Sequence, residues 1–137
     1  MRRHATIGLH WSVLIFLLLL LAAGSTHAVL SWLFGLAGLA MCMLALACGL
    51  MNGPGPVLSG ALRRAHPWAN RGMYLLLGVC SLSVLTPQLG FSLPGPGPRD
   101  LLVGLLGAGL LHGIFNLWRT TALGDGALRR MLPGGWL

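Results

Sequence analysis

The stretch LLVGLLGAGLLHGIFNLWRTTALGDGALRRMLPGG, residues 101–135, decides the fold. It opens with an apolar run long enough to enter a lipid bilayer, carries His112 in the middle of that run, and ends in a basic tail. A histidine at membrane depth is costly unless it has a partner, and it marks a functional site by default. Because a neutral imidazole is a good ligand for haem iron, the stretch predicts a membrane helix whose histidine binds a partner group, with haem as the leading candidate.

The composition extends this prediction to the whole chain. The 137 residues suffice for about one domain, and 55% of them are hydrophobic whereas only 8% are charged. No fixed charge occurs between residues 4 and 62, a run far longer than the roughly 20 residues that one crossing needs, so it holds two crossings. We therefore expect an all-α, membrane-spanning four-helix bundle that forms a single domain over residues 1–137. Its helices are predicted at about residues 6–23, 29–50, 71–89 and 100–122.

The basic residues are distributed unevenly along the chain. All nine are arginines, and four crossings place eight of them on one side of the membrane, with only Arg99 on the other. By the positive-inside rule, this pattern predicts that both termini are cytoplasmic. The charge therefore indicates topology in a lipid bilayer and not a nucleic-acid partner. A cleavable signal peptide ending near Ala28 is the alternative for the N-terminal segment, but cleavage would leave three crossings and remove the arginine asymmetry.

Several kinds of chemistry lack their usual residues. The three cysteines form no C-x-x-C pair, and C-x-x-C-H is absent, which excludes covalent c-type haem attachment. No carboxylate lies inside a predicted crossing, so a proton-coupled carrier would lack its relay. The sequence also has no Walker motif, no nucleophile elbow and no H-E-x-x-H.

Two histidines fall inside predicted crossings at matching depths. His10 follows Arg3 by seven residues and His112 precedes Arg119 by seven. If both arginines lie near the headgroups, each imidazole lies about 10 Å below them at 1.5 Å per residue. This arrangement suits bis-histidine ligation of a haem; the alternative is two polar residues hydrogen-bonded to backbone or water. The other histidines are predicted to lie at the surface, in the N-terminal segment, the turn after helix 1 and a loop of residues 57–69: His4, His27 and His66.

Helix 4 is rich in glycine. Its glycines recur at spacings of two to four residues, so part of one face is flat: Gly104, Gly107, Gly109 and Gly113. Tight helix packing is the leading explanation, and room for a flat macrocycle is the other; the two are compatible.

Three motifs carry a resemblance to a known family. They are Ile-Gly-Leu-His-Trp at residues 7–11, Asn-Arg-Gly-Met-Tyr-Leu-Leu-Leu at residues 70–77, and Gly-Asp-Gly-Ala-Leu-Arg-Arg-Met-Leu-Pro at residues 124–133. Together they resemble the bacterial cytochrome b561 family, which includes the superoxide oxidases and relatives of the hydrogenase cytochrome b subunit. The resemblance implies a four-helix protein of the bacterial inner membrane that holds two b haems and passes electrons between a donor and quinone. It also implies that His10 and His112 ligate the cytoplasmic-side haem.

The departures from the family pattern modify this expectation. Ser31 and Pro98 stand where the family has the histidines of the outer haem, so we expect one haem b and no outer haem. Asn70 and Arg119 stand where the family has histidines associated with quinone; we expect them to line the cytoplasmic end and contact a haem propionate. The expected role is electron transfer with quinone or a redox partner subunit, and not that of a self-sufficient oxidoreductase. The alternative is a haem-less family member that acts as a membrane assembly or interaction protein.

Overall fold

A computed structural model describes residues 2–50 and 57–132. Of these described residues, 81% are helical and none lies in a strand. Four helices dominate the fold, with short 3₁₀ turns at Thr86–Leu89 and Leu128–Arg130: α1 (Arg2–Ala23), α2 (Ala28–Cys48), α3 (Gly60–Leu85) and α4 (Pro98–Ala122). Each of the four is long and apolar enough to cross a membrane. The predicted all-α, membrane-spanning four-helix bundle is confirmed.

The helices that follow one another in the chain pack side by side, and α1 closes the bundle through a smaller interface with α4. A turn of four residues joins α1 to α2, where the Nδ1 atom of His27 accepts a hydrogen bond from the Leu30 N–H at 3.5 Å. His27 is exposed, as predicted. Such a short connection forces α1 and α2 to be antiparallel neighbours.

Both ends of the chain meet at one end of the bundle. The Arg3 guanidinium donates to the carbonyl oxygen of Arg129 at 3.2 Å, and the Trp11 indole N–H donates to the carbonyl oxygen of Met131 at 3.1 Å. We call this the terminal end; α1 and α3 begin there, and α2 and α4 end there. The opposite, distal end carries the turn at residues 24–27 and the loop at residues 90–97.

The start of α3 differs from the prediction. The sequence predicts a loop over residues 57–69 and a helix from about Arg71, whereas α3 begins at Gly60 and contains Pro67. A proline inside a helix removes one backbone hydrogen bond, which made this segment resemble a loop. The segment is nevertheless amphipathic, because His66 and Asn70 lie one turn apart and are buried while Trp68 is exposed. This correction moves His66 from a surface loop into the bundle.

The packed core lies mainly in the distal half of the bundle. Leu20 and Phe34 are fully buried there, and the same cluster includes side chains from all four helices: Leu17, Met41, Leu77, Cys80, Val84, Leu85, Leu102 and Leu105. A Cβ atom on Gly35 would collide with Leu85, and one on Gly38 would collide with Ser81. These two glycines therefore let α2 and α3 approach closely.

The glycines of α4 have a different role from the one expected. No atom of a neighbouring side chain or helix lies within 4 Å of the position that a Cβ atom would take at any of the four: Gly104, Gly107, Gly109 and Gly113. The prediction that they pack tightly is therefore wrong within this chain. Helix α4 is also the least buried of the four, because only 11% of the residues in its most apolar 18-residue stretch are buried. Its glycine positions border open space.

Candidate functional site at the terminal end of the bundle

The structure brings His10 and His112 towards each other. His10 lies on the inward face of α1, at helical spacing from the buried Thr6 and Leu17. His112 lies on α4, midway between the buried Leu105 and Arg119. Both imidazoles are half-buried, and they lie within electrostatic range of each other. Two histidines more than a hundred residues apart in sequence thus lie near each other in the half of the bundle that holds the chain's two end segments.

Asn116 occupies one nitrogen of the His112 ring. Its Nδ2 atom lies 2.9 Å from the His112 Nε2 atom and 2.9 Å from the His112 carbonyl oxygen. An amide Nδ2 can only donate, so Nε2 accepts and the neutral ring carries its proton on Nδ1. Nε2 becomes available to a metal ion once the Asn116 side chain turns away.

A cavity of about 310 Å³ lies between α3 and α4 beside His112. Small-molecule pockets have volumes from about 300 Å³ upwards, so this one lies at the small end of that range. Three polar side chains line it, namely His66, Asn70 and His112. The rest of its wall is apolar and comes from both helices: Leu62, Ala65, Ala69, Met73, Ala108, Leu111 and Phe115.

Arg119 is held in a buried network behind this cavity. Its side chain is 1% exposed, and its Nε and Nη2 atoms lie 2.6 Å and 2.5 Å from the Oδ2 atom of Asp125. Its Nη1 atom donates to the Nε2 atom of His66 at 2.9 Å. The Asp125 Oδ1 atom also accepts the Ala127 N–H at 2.9 Å, and the Leu128 N–H donates to the Thr120 Oγ1 atom at 3.0 Å, which ties the segment after α4 to the helix. Of the two residues expected to contact a bound group, Asn70 thus lines the cavity, whereas Arg119 contacts His66 and Asp125.

His66 is a buried member of the site, although the sequence predicts that this histidine lies at the surface. Its side chain is 4% exposed and its ring lies 6.0 Å from that of Phe115. Because a guanidinium can only donate, the His66 Nε2 atom accepts from Arg119 and the neutral ring carries its proton on Nδ1. That buried Nδ1 atom has no hydrogen-bond partner among the described residues. If the predicted helix had begun three turns earlier, His66 would have been predicted to lie on the same helix face as Asn70, because it precedes Asn70 by four residues.

The donor set can be tested against the haem that the sequence motifs imply. Residues 2–50 and 57–132 hold no group of three or more His, Cys, Asp or Glu side chains that could bind a metal ion by themselves. A haem iron needs only two protein ligands, because the macrocycle supplies four nitrogens. His10 and His112 provide two imidazoles on facing helices, and Gly109, one turn from His112, borders open space. The donor types present therefore match the two imidazoles that a haem takes once Asn116 releases the His112 Nε2 atom, although the cavity beside His112 is lined by α3 and α4 and not by His10.

The chain matches no protein-family model, no curated protein and no solved structure in the comparisons made. Membership of the cytochrome b561 family therefore stays a prediction carried by the sequence motifs. The motif at residues 124–133 has a structural role of its own, since its Asp125 neutralises Arg119; residue 133 lies outside the described residues.

Proposed function

We propose that this chain is a b-type haem cytochrome of the membrane, with one haem held between His10 and His112. The observations that carry the proposal are a half-buried imidazole on α1, a second one on α4 beside the cavity, and the incomplete core packing in this half of the bundle. Polar side chains in an apolar bundle need partners; Asn116 already satisfies the His112 Nε2 atom, whereas haem iron is a single partner that would take both imidazoles.

When bound, the haem supplies one-electron oxidation and reduction. The chain's own residues define how that chemistry is used. His10 and His112 would hold the haem iron through two imidazoles, and such a site would suit electron transfer and not oxygen binding. Asn116 donates to the His112 backbone carbonyl, and this contact keeps its amide close to the ring that it would have to release. The apolar wall of the cavity lowers the local polarity, which is one of the factors that set a haem potential.

The distal half of the bundle supports a count of one haem. Ser31, at the position of a family haem ligand, is fully buried and its hydroxyl donates to the Ser25 carbonyl oxygen at 3.3 Å. Leu20, Phe34 and Leu102 belong to the core cluster of this half and have no exposed surface. A second haem would have to displace this packing. With one haem, electrons must pass to quinone or to a redox partner subunit, and we place the protein in the bacterial inner membrane with its terminal end in the cytoplasm.

The experiment is a reduced-minus-oxidised difference spectrum of the protein purified in detergent, with haem quantified per chain. We expect about one haem per chain and a low-spin b-type spectrum. His10→Ala and His112→Ala should each abolish that spectrum, because one imidazole holds haem b weakly. His27→Ala is the matched control, since His27 only caps α2 at the distal end. A bis-histidine spectrum that survives the double substitution of His10 and His112 would disprove the ligand assignment.

A second candidate is a haem-less membrane interaction protein. The open face of α4 favours it, because glycines that border open space allow a helix of another membrane protein to approach closely. This candidate predicts no haem in protein from cells that load other b-type cytochromes. It also predicts that His10→Ala and His112→Ala leave the protein folded and its complex with a partner intact.

A further inference from the structure

We propose that His66 is a positioning residue that anchors a carboxylate of the bound group, specifically a haem propionate. This inference rests on the proposed function, because it assigns a partner atom inside the same site. It goes beyond the sequence motifs, which did not include His66. The Arg119 guanidinium, expected from sequence to contact a propionate itself, would act through His66 instead.

The hydrogen bonds around His66 leave one defined donor. Arg119 occupies the Nε2 atom from one side at 2.9 Å, so the proton of the neutral ring lies on Nδ1. A ring arranged in this way cannot ligate iron through Nδ1, because that nitrogen has no free lone pair. The Nδ1–H group can only donate a hydrogen bond. Since it is buried and has no partner among the described residues, it lacks the interaction that buried polar groups normally have.

The cavity is the space in which that partner would lie. His66 lines it together with His112, the proposed iron ligand on the opposite helix, so a group held by His112 borders the same space. Asn70 lies one turn along α3 from His66 and also lines the cavity, which adds a second polar side chain on that wall. The remaining lining is apolar, so the hydrogen-bonding part of a ligand must meet the wall formed by these α3 residues.

The charges at this end favour a carboxylate over a neutral acceptor. Eight arginines lie at the terminal end, and only one of the two acidic residues, Asp125, lies there with them. The hydrogen bond from Arg119 polarises the imidazole and strengthens the Nδ1–H group as a donor. Hydrogen bonds to an ionised acceptor are about twice as strong as those between neutral groups. A propionate is therefore the oxygen acceptor that gains most from this donor.

The test uses the full chain prepared without haem and then loaded either with haem b or with its dimethyl ester, in which both propionates are blocked. The quantity measured is the rate at which haem leaves the protein for a scavenging apomyoglobin. For haem b, His66→Phe should retain the bis-histidine spectrum and release haem about tenfold faster, as expected for the loss of one charge-assisted hydrogen bond. For the dimethyl ester, wild type and His66→Phe should release haem at the same rate.

Two comparisons make the result decisive. His66→Asn keeps an N–H donor near the Nδ1 position and should recover most of the slow release, which a merely structural role would not produce. If His66→Phe releases haem b as slowly as wild type, or releases both haems faster to the same extent, the anchoring role is disproved. The release rates of wild type and His66→Phe could also differ only after a lipid-soluble carbonyl compound such as a quinone is added. That result would assign the His66 donor to the added compound and would also overturn the proposal. A wild-type chain that takes up no haem would refute the proposed function itself.

Discussion

Asp125 differs from Asp100, the other acidic residue of the chain, because it forms a buried ion pair. It neutralises the buried guanidinium of Arg119, whereas Asp100 is exposed in the first turn of α4, where a carboxylate interacts weakly with the helix dipole. Removing one partner of a buried ion pair leaves an uncompensated charge in a poorly solvated place. The two aspartates thus provide an internal comparison between a buried and an exposed carboxylate.

We predict that Asp125→Asn destabilises the fold by about 3 kcal/mol and that Asp100→Asn, the matched control, costs well under 1 kcal/mol. The reason is that a neutral amide at position 125 would leave the Arg119 charge buried without a counter-charge. Thermal unfolding of the detergent-solubilised proteins, followed by circular dichroism, measures the difference. Equal melting temperatures for the two variants would show that Arg119 does not depend on Asp125.

Asn116 has to leave the His112 ring before that ring can bind iron. We predict that Asn116→Ala tightens haem binding up to about tenfold, because the bond between the Asn116 amide and Nε2 no longer has to be broken. Titration of the haem-free protein with haem b measures the affinity. Thr121→Ala, which removes an exposed hydroxyl bonded to the Leu117 carbonyl of the same helix, is the control. Weaker binding by Asn116→Ala would instead mean that the amide orients the ligand ring.

At this scale the sequence predicted some positions and missed others for a physical reason. The equal spacing of His10 and His112 from Arg3 and Arg119 predicts that both imidazoles lie at one depth, and this stays a prediction because Arg119 is buried against His66 and Asp125 and so does not mark the headgroup level. His66 was missed because its burial depends on whether the residues before Arg71 are helical, which the membrane-span argument does not address. The contact between Arg119 and Asp125 required the segment after α4 to fold back, and nothing in the span pattern encodes that reversal.

At the scale of elements, apolar runs located the four helices well but not the polar start of α3. A crossing is recognised by the length of its apolar run, whereas a helix can continue past that run into the headgroup region. The residues from Gly60 to Asn70 do so as an amphipathic segment, and Pro67 concealed it. Glycine content did not predict which helix faces pack closely, because the glycines lie at a close helix contact in α2 and border open space in α4.

This difference between the glycines gives a prediction for α2. A methyl group at Gly38 would collide with the Ser81 side chain on α3, so we expect Gly38→Ala to lower the melting temperature by about 5 °C, as overpacking of a close interface does. Gly104→Ala is the matched control, because nothing lies within 4 Å of the added methyl group. Thermal unfolding in detergent compares the two variants. A larger loss at Gly104 would show that α4 packs against a partner in the purified protein.

At the scale of the whole molecule, the bundle is built asymmetrically along the membrane normal. The distal half is packed with apolar side chains, whereas the terminal half contains the three inward-facing histidines, the buried ion pair and the cavity. The terminal half also carries eight of the nine arginines. If arginine bias orients the chain as the positive-inside rule predicts, the terminal half faces the cytoplasm, and the proposed electron transfer would take place on that side.

The native cysteines allow this orientation to be tested. Cys48 is exposed at the terminal end of α2, whereas Cys80 is buried. We predict that a membrane-impermeant maleimide labels Cys48 in inverted inner-membrane vesicles and leaves it unlabelled in intact spheroplasts. In the control variant Cys48→Ala with Ser92→Cys, the new thiol lies in the exposed distal loop and should show the reverse pattern. Labelling of Cys48 from outside the cell would place the arginine-rich end in the periplasm, and electron exchange with a cytoplasmic-side partner would then be impossible.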